Sequence, residues 1–112
     1  MTTRKATAVQ SSMISEIAYI ALGEDTMLEI GGQTVASPSP LAGAMIVHFH
    51  KTNDIWGYTP LTQEQYDDLS DSDSIGKAFI AGVRNNPAYG KFKLEDGKWV
   101  FKEGPVKFEK TS

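Results

Sequence analysis

The chain has 112 residues, a formal net charge of −3, 40% hydrophobic and 22% charged residues, and no cysteine. That supports one packed domain rather than two, and it excludes disulfides, thiolate metal sites and cysteine nucleophiles. The acidic balance argues against a grip on long nucleic acid, which collects Lys and Arg against backbone phosphates, whereas a small anionic ligand needs only a few donors.

No apolar run approaches the length that spans a bilayer. The opening MTTRKATAVQSS lacks the apolar stretch of a secretory signal, so a cytoplasmic protein without a membrane partner is expected. Residues 13–20, MISEIAYI, are apolar-rich and partly alternating, which predicts a first strand. GEDT reads as a turn and MLEI as a second strand, so 13–30 is expected to form a hairpin. The uncharged segment 31–44, GGQTVASPSPLAGA, reads as a long loop, either a binding lid or an insertion. MIVHFHKT then alternates: Met45, Val47 and Phe49 share one face, and Ile46, His48 and His50 the other. TND turns the chain into a fourth strand, IWGYTPL.

TQEQYDDL begins a helix, with Thr62 and Gln65 spaced as a capping box and Tyr66 and Leu69 as its apolar stripe. SDSDS separates it from a second helix, whose start suits Asp71, Asp73 and Ser74. In that helix Ile75, Phe79 and Val83 recur on one face, and Asn85-Asn86-Pro87 ends it. The tail KFKLEDGKWVFKEG centres on Asp96-Gly97, a preferred two-residue hairpin turn. That register faces Leu94 to Trp99 and Phe92 to Phe101, with Lys91, Lys93, Lys98 and Lys102 on the other face. The apolar face either extends the core or meets a second subunit. Four strands, two helices and a hairpin predict an α+β fold, an antiparallel sheet followed by two α-helices and a C-terminal β-hairpin (91–103).

VQSSMISEIAY, IWGYTPLTQEQYDDL and SDSIGKAFIAGVRNN together resemble the KTSC domain, named for the C-terminus of some lysyl-tRNA synthetases. That family pattern has paired serines before the first strand, here Ser11-Ser12, and an aromatic-x-aromatic pair in the fourth, here Trp56 and Tyr58. A Val-Pro opens its first helix, where this chain has Leu61-Thr62. Its Ser-x-Gly-x-x-Phe runs into Ile-Arg, here Ser74, Gly76 and Phe79 followed by Val83-Arg84. The resemblance covers residues 9–91. It departs at Thr62, where proline is usual, at Ile80, where asparagine is common, and in the longer 31–44 segment. It implies an RNA or nucleic-acid-binding role. The order of elements and the aromatic/Arg helix are also similar, more distantly, to phage Thoeris anti-defence sponge proteins. That likeness implies an oligomer that sequesters cyclic ADP-ribose-type signals without degrading them.

The Gly76-Lys77 pair invites a phosphate-loop reading, which fails because Asp71 and Ala78 stand where that loop needs glycine and Ser or Thr. What survives is a capping Ser74, a Gly76 that permits close backbone approach, and free N–H groups that accept an anion; an ordinary capped helix has the same letters. Arg84 suits a phosphate clamp or simple placement at a helix C-terminus. Trp56 and Tyr58 suit base stacking or burial under the helices, and Phe79 either core or pocket edge. His48 and His50 form an H-x-H pair with no third ligand in spacing, so no metal is expected. No nucleophile motif is present and no catalytic triad is spaced for.

The expectation is therefore a non-enzymatic, cofactor-free, homo-oligomeric module that holds a small nucleotide-derived ligand, most sharply a phage-type sponge for a cyclic nucleotide or cyclic ADP-ribose signal. Its site residues are Trp56, Tyr58, Ser74, Gly76, Phe79 and Arg84. The alternatives are an RNA-binding accessory, supported by the hairpin lysines, and a structural or protein-interaction domain.

Overall fold

The segment AMIVHF is apolar on both sides of its alternation, so a strand there needs cover on both faces. The computed structural model, which describes residues 2–21, 26–35, 43–59, 61–86 and 88–104, supplies both covers. Its strands are β1 (Thr2–Lys5), β2 (Thr7–Ala8), β3 (Ile14–Ile20), β4 (Thr26–Ile30), β5 (Gln33–Val35), β6 (Ala44–Phe49) and β7 (Ile55–Thr59). Helices α1 (Gln63–Ser70) and α2 (Ile75–Phe79) follow, the second continuing as a π-helical segment, Ile80–Arg84. The hairpin of β8 (Gly90–Glu95) and β9 (Lys98–Glu103) ends the series.

Six strands pair antiparallel in the order β2-β3-β6-β7-β8-β9. Met45, Val47, Phe49 and Tyr58 point to the helical side, where Leu61, Ile75, Phe79 and Val83 complete one core. Ile46, Ala44 and Ile55 point the other way and pack against Leu28, Ile30 and Val35. Those three belong to a separate sheet in the order β1-β4-β5. The chain is thus α+β, with the antiparallel strands, two helices and C-terminal hairpin expected from the sequence. No described helix is long and apolar enough to cross a membrane.

Two expectations are corrected here, and two strands are added. The 13–30 segment is not one hairpin, because β3 lies in the large sheet while β4 pairs parallel with β1 and antiparallel with β5. β3 is flanked by β2 and β6, and Leu28 and Ile30 are buried instead against Ile46 and Ile55 of the large sheet. The 31–44 segment is not loop throughout: Gly31 and Gly32 take φ of +59° and +80° and turn the chain into β5. Positive φ at both central positions suits a two-residue hairpin. The remainder, 36–42, lies outside the described residues, as do most of the GEDT turn and Pro87. Finally, β1 and β2 were not anticipated; their short polar letters carry no alternation to read.

Most of the remaining expectations hold in detail. A register shift between Ile14 and Glu16 accounts for the partial alternation of β3, since one extra residue lets Ile14 and Ile17 join the same core. Thr62 Oγ1 accepts from the Gln65 backbone N–H at 3.1 Å while Gln65 Oε1 accepts from the Thr62 N–H at 2.8 Å, the full capping box. Asp96 and Gly97 take φ of 53° and 78°, and Leu94 faces Trp99 and Phe92 faces Phe101. The hairpin's apolar face extends the domain: Phe92 has no exposed surface, and Leu94 and Trp99 pack on the second core. Lys91 does not point outward as expected but is buried, opposite Tyr58 on β7.

A buried latch fixes the entry to α1. Gly43 O accepts from the Leu61 N–H at 3.0 Å and from Thr59 Oγ1 at 2.8 Å, and Leu61 O accepts from the Tyr19 hydroxyl at 2.7 Å. A Cβ at Gly43 would stand 2.0 Å from the Tyr19 oxygen and 2.5 Å from Leu61 O. Gly43→Ala is therefore expected to lower stability by roughly 2–3 kcal/mol in urea unfolding. Gly82→Ala, where an added Cβ meets nothing within 4 Å, should raise it by roughly 0.5–1 kcal/mol. Tyr66 packs on Tyr19 with centroids 5.5 Å apart and planes tilted by 35°. Burial first and the neighbouring Asp67 carboxylate second push its hydroxyl up to about 12, against a smaller opposing pull from Arg4. The folded state then keeps a proton that the unfolded chain loses near its ordinary value of about 10. Stability should fall as pH rises from about 10 to about 12. Tyr66→Phe should flatten that fall in denaturation followed across alkaline pH.

Candidate ligand-binding site

Trp56 and Tyr58 are two residues apart on β7 and so share a face. Their rings stack with centroids 6.4 Å apart and planes 17° apart. Tyr58 is 2% exposed and Trp56 is half-buried, so the pair is core at one end and surface at the other. Beside them Phe49 ends β6. Phe79, from the helix above, meets Tyr58 edge-on at 5.0 Å and Phe49 at 5.9 Å. Tyr58 and Phe49 are thereby held in place by Phe79, and Trp56 rests on Tyr58.

The π-helical segment delivers the cation. The Asn85 N–H reaches back to Ile80 O at 3.0 Å, five residues earlier, and this wider turn is frequent at functional sites. Val83 stays buried while the neighbouring Arg84 lies exposed, its guanidinium carbon 6.0 Å from the Phe49 ring centroid. No carboxylate among the described residues pairs with it. Phe49, Trp56, Tyr58 and Arg84 line one cavity of about 300 Å³, together with Lys51 and Asp54. Asp54 is engaged by Lys93 at 3.7 Å, which leaves the balance of that rim cationic.

Ser74 and Gly76 line a second cavity, of about 430 Å³, with Ser11, Ser12 and Lys77. Here the motif letters have a structural reason. Ser11 Oγ accepts from the Met13 N–H at 3.1 Å and the Ile14 N–H at 3.2 Å, turning the chain into β3. A Cβ at Gly76 would come within 3.0 Å of that same oxygen, so glycine lets α2 settle on the serine turn. Ser74 stands at the N-cap position, but its side chain makes no capping hydrogen bond, which corrects its expected role.

The structure therefore divides the six candidate residues. Trp56, Tyr58 and Arg84 come together, Ser74 and Gly76 come together elsewhere, and Phe79 is withdrawn as a ligand contact. With no exposed surface, it acts by propping Tyr58 and Phe49. Sequence reasoning missed Phe49, Lys51 and Met13 as lining residues. Phe49 was visible as the last member of the Met45/Val47 face; nothing local marked the other two.

His48 and His50 do not converge. His50 is exposed beyond β6, while His48 Nε2 donates to Asn53 Oδ1 at 2.6 Å, the amide oxygen being an acceptor. Its Nδ1 is buried, without a hydrogen bond, 3.9 Å from Glu16 Oε1, and that carboxylate accepts from the Gly31 N–H at 2.7 Å. Among the described residues no group of three or more His, Asp or Glu could hold a metal ion.

These roles separate by mutation. Ser11→Ala removes an acceptor of two backbone N–H groups and is expected to cost about 1–2 kcal/mol in chemical denaturation. Ser74→Ala should stay within about 0.5 kcal/mol. The chain matches no family model, no curated protein and no solved structure.

Proposed function

We propose that this protein is a non-catalytic binding module that holds a small, planar, anionic ligand of nucleotide type. The observation that carries this reading is the convergence of Phe49, Trp56 and Tyr58 with Arg84 and Lys51 on one cavity of about 300 Å³. Ligand sites are concave, mostly apolar and furnished with a few placed polar groups. Aromatic rings stack on any base, and a guanidinium grips phosphate through paired N–H donors. The sharpest form of the reading is sequestration of a cyclic nucleotide or cyclic ADP-ribose signal. That form draws on the likeness to the sponge proteins, and membership of the KTSC family is part of the same proposal.

The RNA reading leaned on four hairpin lysines. Lys91 is buried, Lys93 pairs with Asp54, and Lys102 pairs with Glu95 at 2.8 Å. The Lys102 contact also holds the Glu95 carboxyl below its ordinary value. The hairpin therefore does not offer the unbroken basic stripe that backbone phosphates reward.

A thermal-shift screen with mononucleotides, cyclic dinucleotides and ADP-ribose derivatives tests the proposal. At least one member should raise the melting temperature and be recovered chemically intact after heat release. Trp56→Ala should weaken that member about tenfold or more, the scale of one lost base stack. Arg84→Ala should weaken it by a similar factor through the lost charge-assisted bonds. No shift by any member, or recovery of a cleaved product, overturns the reading.

A further inference from the structure

The aromatic cavity does not stand alone. Met13 lines both it and the second cavity. The same helical stretch borders both: Lys77 and Ile80 line the second, and Arg84 lines the first. Seven residues separate Lys77 from Arg84, a span of roughly 10 Å along a helix.

The chemistry of the two halves is complementary. The first offers rings and a guanidinium. The second is lined by the hydroxyl-bearing Ser11, Ser12 and Ser74 and by Lys77, with Asp73 the one carboxylate on its wall among the described residues. Ser11 Oγ spends its acceptor capacity on two backbone N–H groups, so its hydroxyl proton is available to a ligand oxygen. The first cavity alone sits at the lower end of ligand-pocket volumes, roughly 300–1,000 Å³.

We infer that the two cavities are one bipartite site for a dinucleotide. One base stacks on the half-buried Trp56 against the wall that Tyr58 and Phe49 form behind it, the linking phosphate passes Met13 within reach of Arg84, and the second nucleoside lies among Ser11, Ser12 and Lys77. This rests on the aromatic cavity being a nucleotide site, and it adds that the site is built for two nucleotide units rather than one. Joining two weak contacts raises affinity by making the second contact intramolecular.

The test is isothermal titration of the full chain with AMP and with the linear dinucleotide pApA. The dinucleotide is expected to bind about tenfold or more tightly than AMP. Lys77→Ala and, separately, Ser12→Asp should remove most of that advantage while leaving AMP affinity unchanged. Both positions are exposed, and each variant's fold is checked by its thermal transition. Arg84→Ala should weaken both ligands. Equal binding of AMP and pApA, or an advantage untouched by both second-cavity variants, overturns the bipartite site and leaves the aromatic cavity standing. Failure of both ligands to bind overturns the bipartite site, and the aromatic cavity then falls only if no member of the wider nucleotide screen shifts the melting temperature.

Discussion

The site depends on where Phe79 is buried. Its ring has no exposed surface and meets Tyr58 edge-on and Phe49 at a tilt, so it ties the helical layer to the aromatic end of the large sheet. Burial of such a ring is worth about 2–3 kcal/mol. Because Tyr58 and Phe49 are fixed from above, Trp56 and Arg84 meet a rigid aromatic wall. The ordering cost of that wall is met on folding rather than on binding.

Local chemistry announced much of this architecture. The alternation of Met45, Val47 and Phe49, the Thr62/Gln65 capping pair, the Ile75/Phe79/Val83 stripe and the Asp96-Gly97 turn each confine their information to a few neighbouring residues, and each formed as read. The small sheet was illegible for the opposite reason. Its parallel pairing of Thr2–Lys5 with Thr26–Ile30 is a contact between distant segments, and a short polar strand has no periodicity to advertise it. Gly31-Gly32 is a hairpin turn set in a Ser/Pro-rich stretch, and composition over that stretch does not reveal it.

The site was legible as residue types and not as an arrangement. Trp56, Tyr58 and Arg84 share a cavity because β7 and the π-helical segment meet there. The separation of Ser74 and Gly76 from them follows from the contact of Gly76 with Ser11, far apart in sequence. Phe79 was readable as apolar on a helical face, but its service as a prop needed the ring positions. Net charge was also an incomplete guide: a chain of −3 still presents Arg84 and Lys51 on one rim, since a short-range site is governed by charges within a Debye length, about 8–10 Å.

The central claim is that the aromatic cavity stacks a nucleobase against Trp56. The chain has two tryptophans, so Trp99→Phe leaves Trp56 as the sole indole. Titrating that variant with AMP should give saturable quenching of its fluorescence, and adding Arg84→Ala should shift the curve to markedly higher concentration. Fluorescence that does not change at any AMP concentration, or quenching that Arg84→Ala leaves untouched, would contradict it.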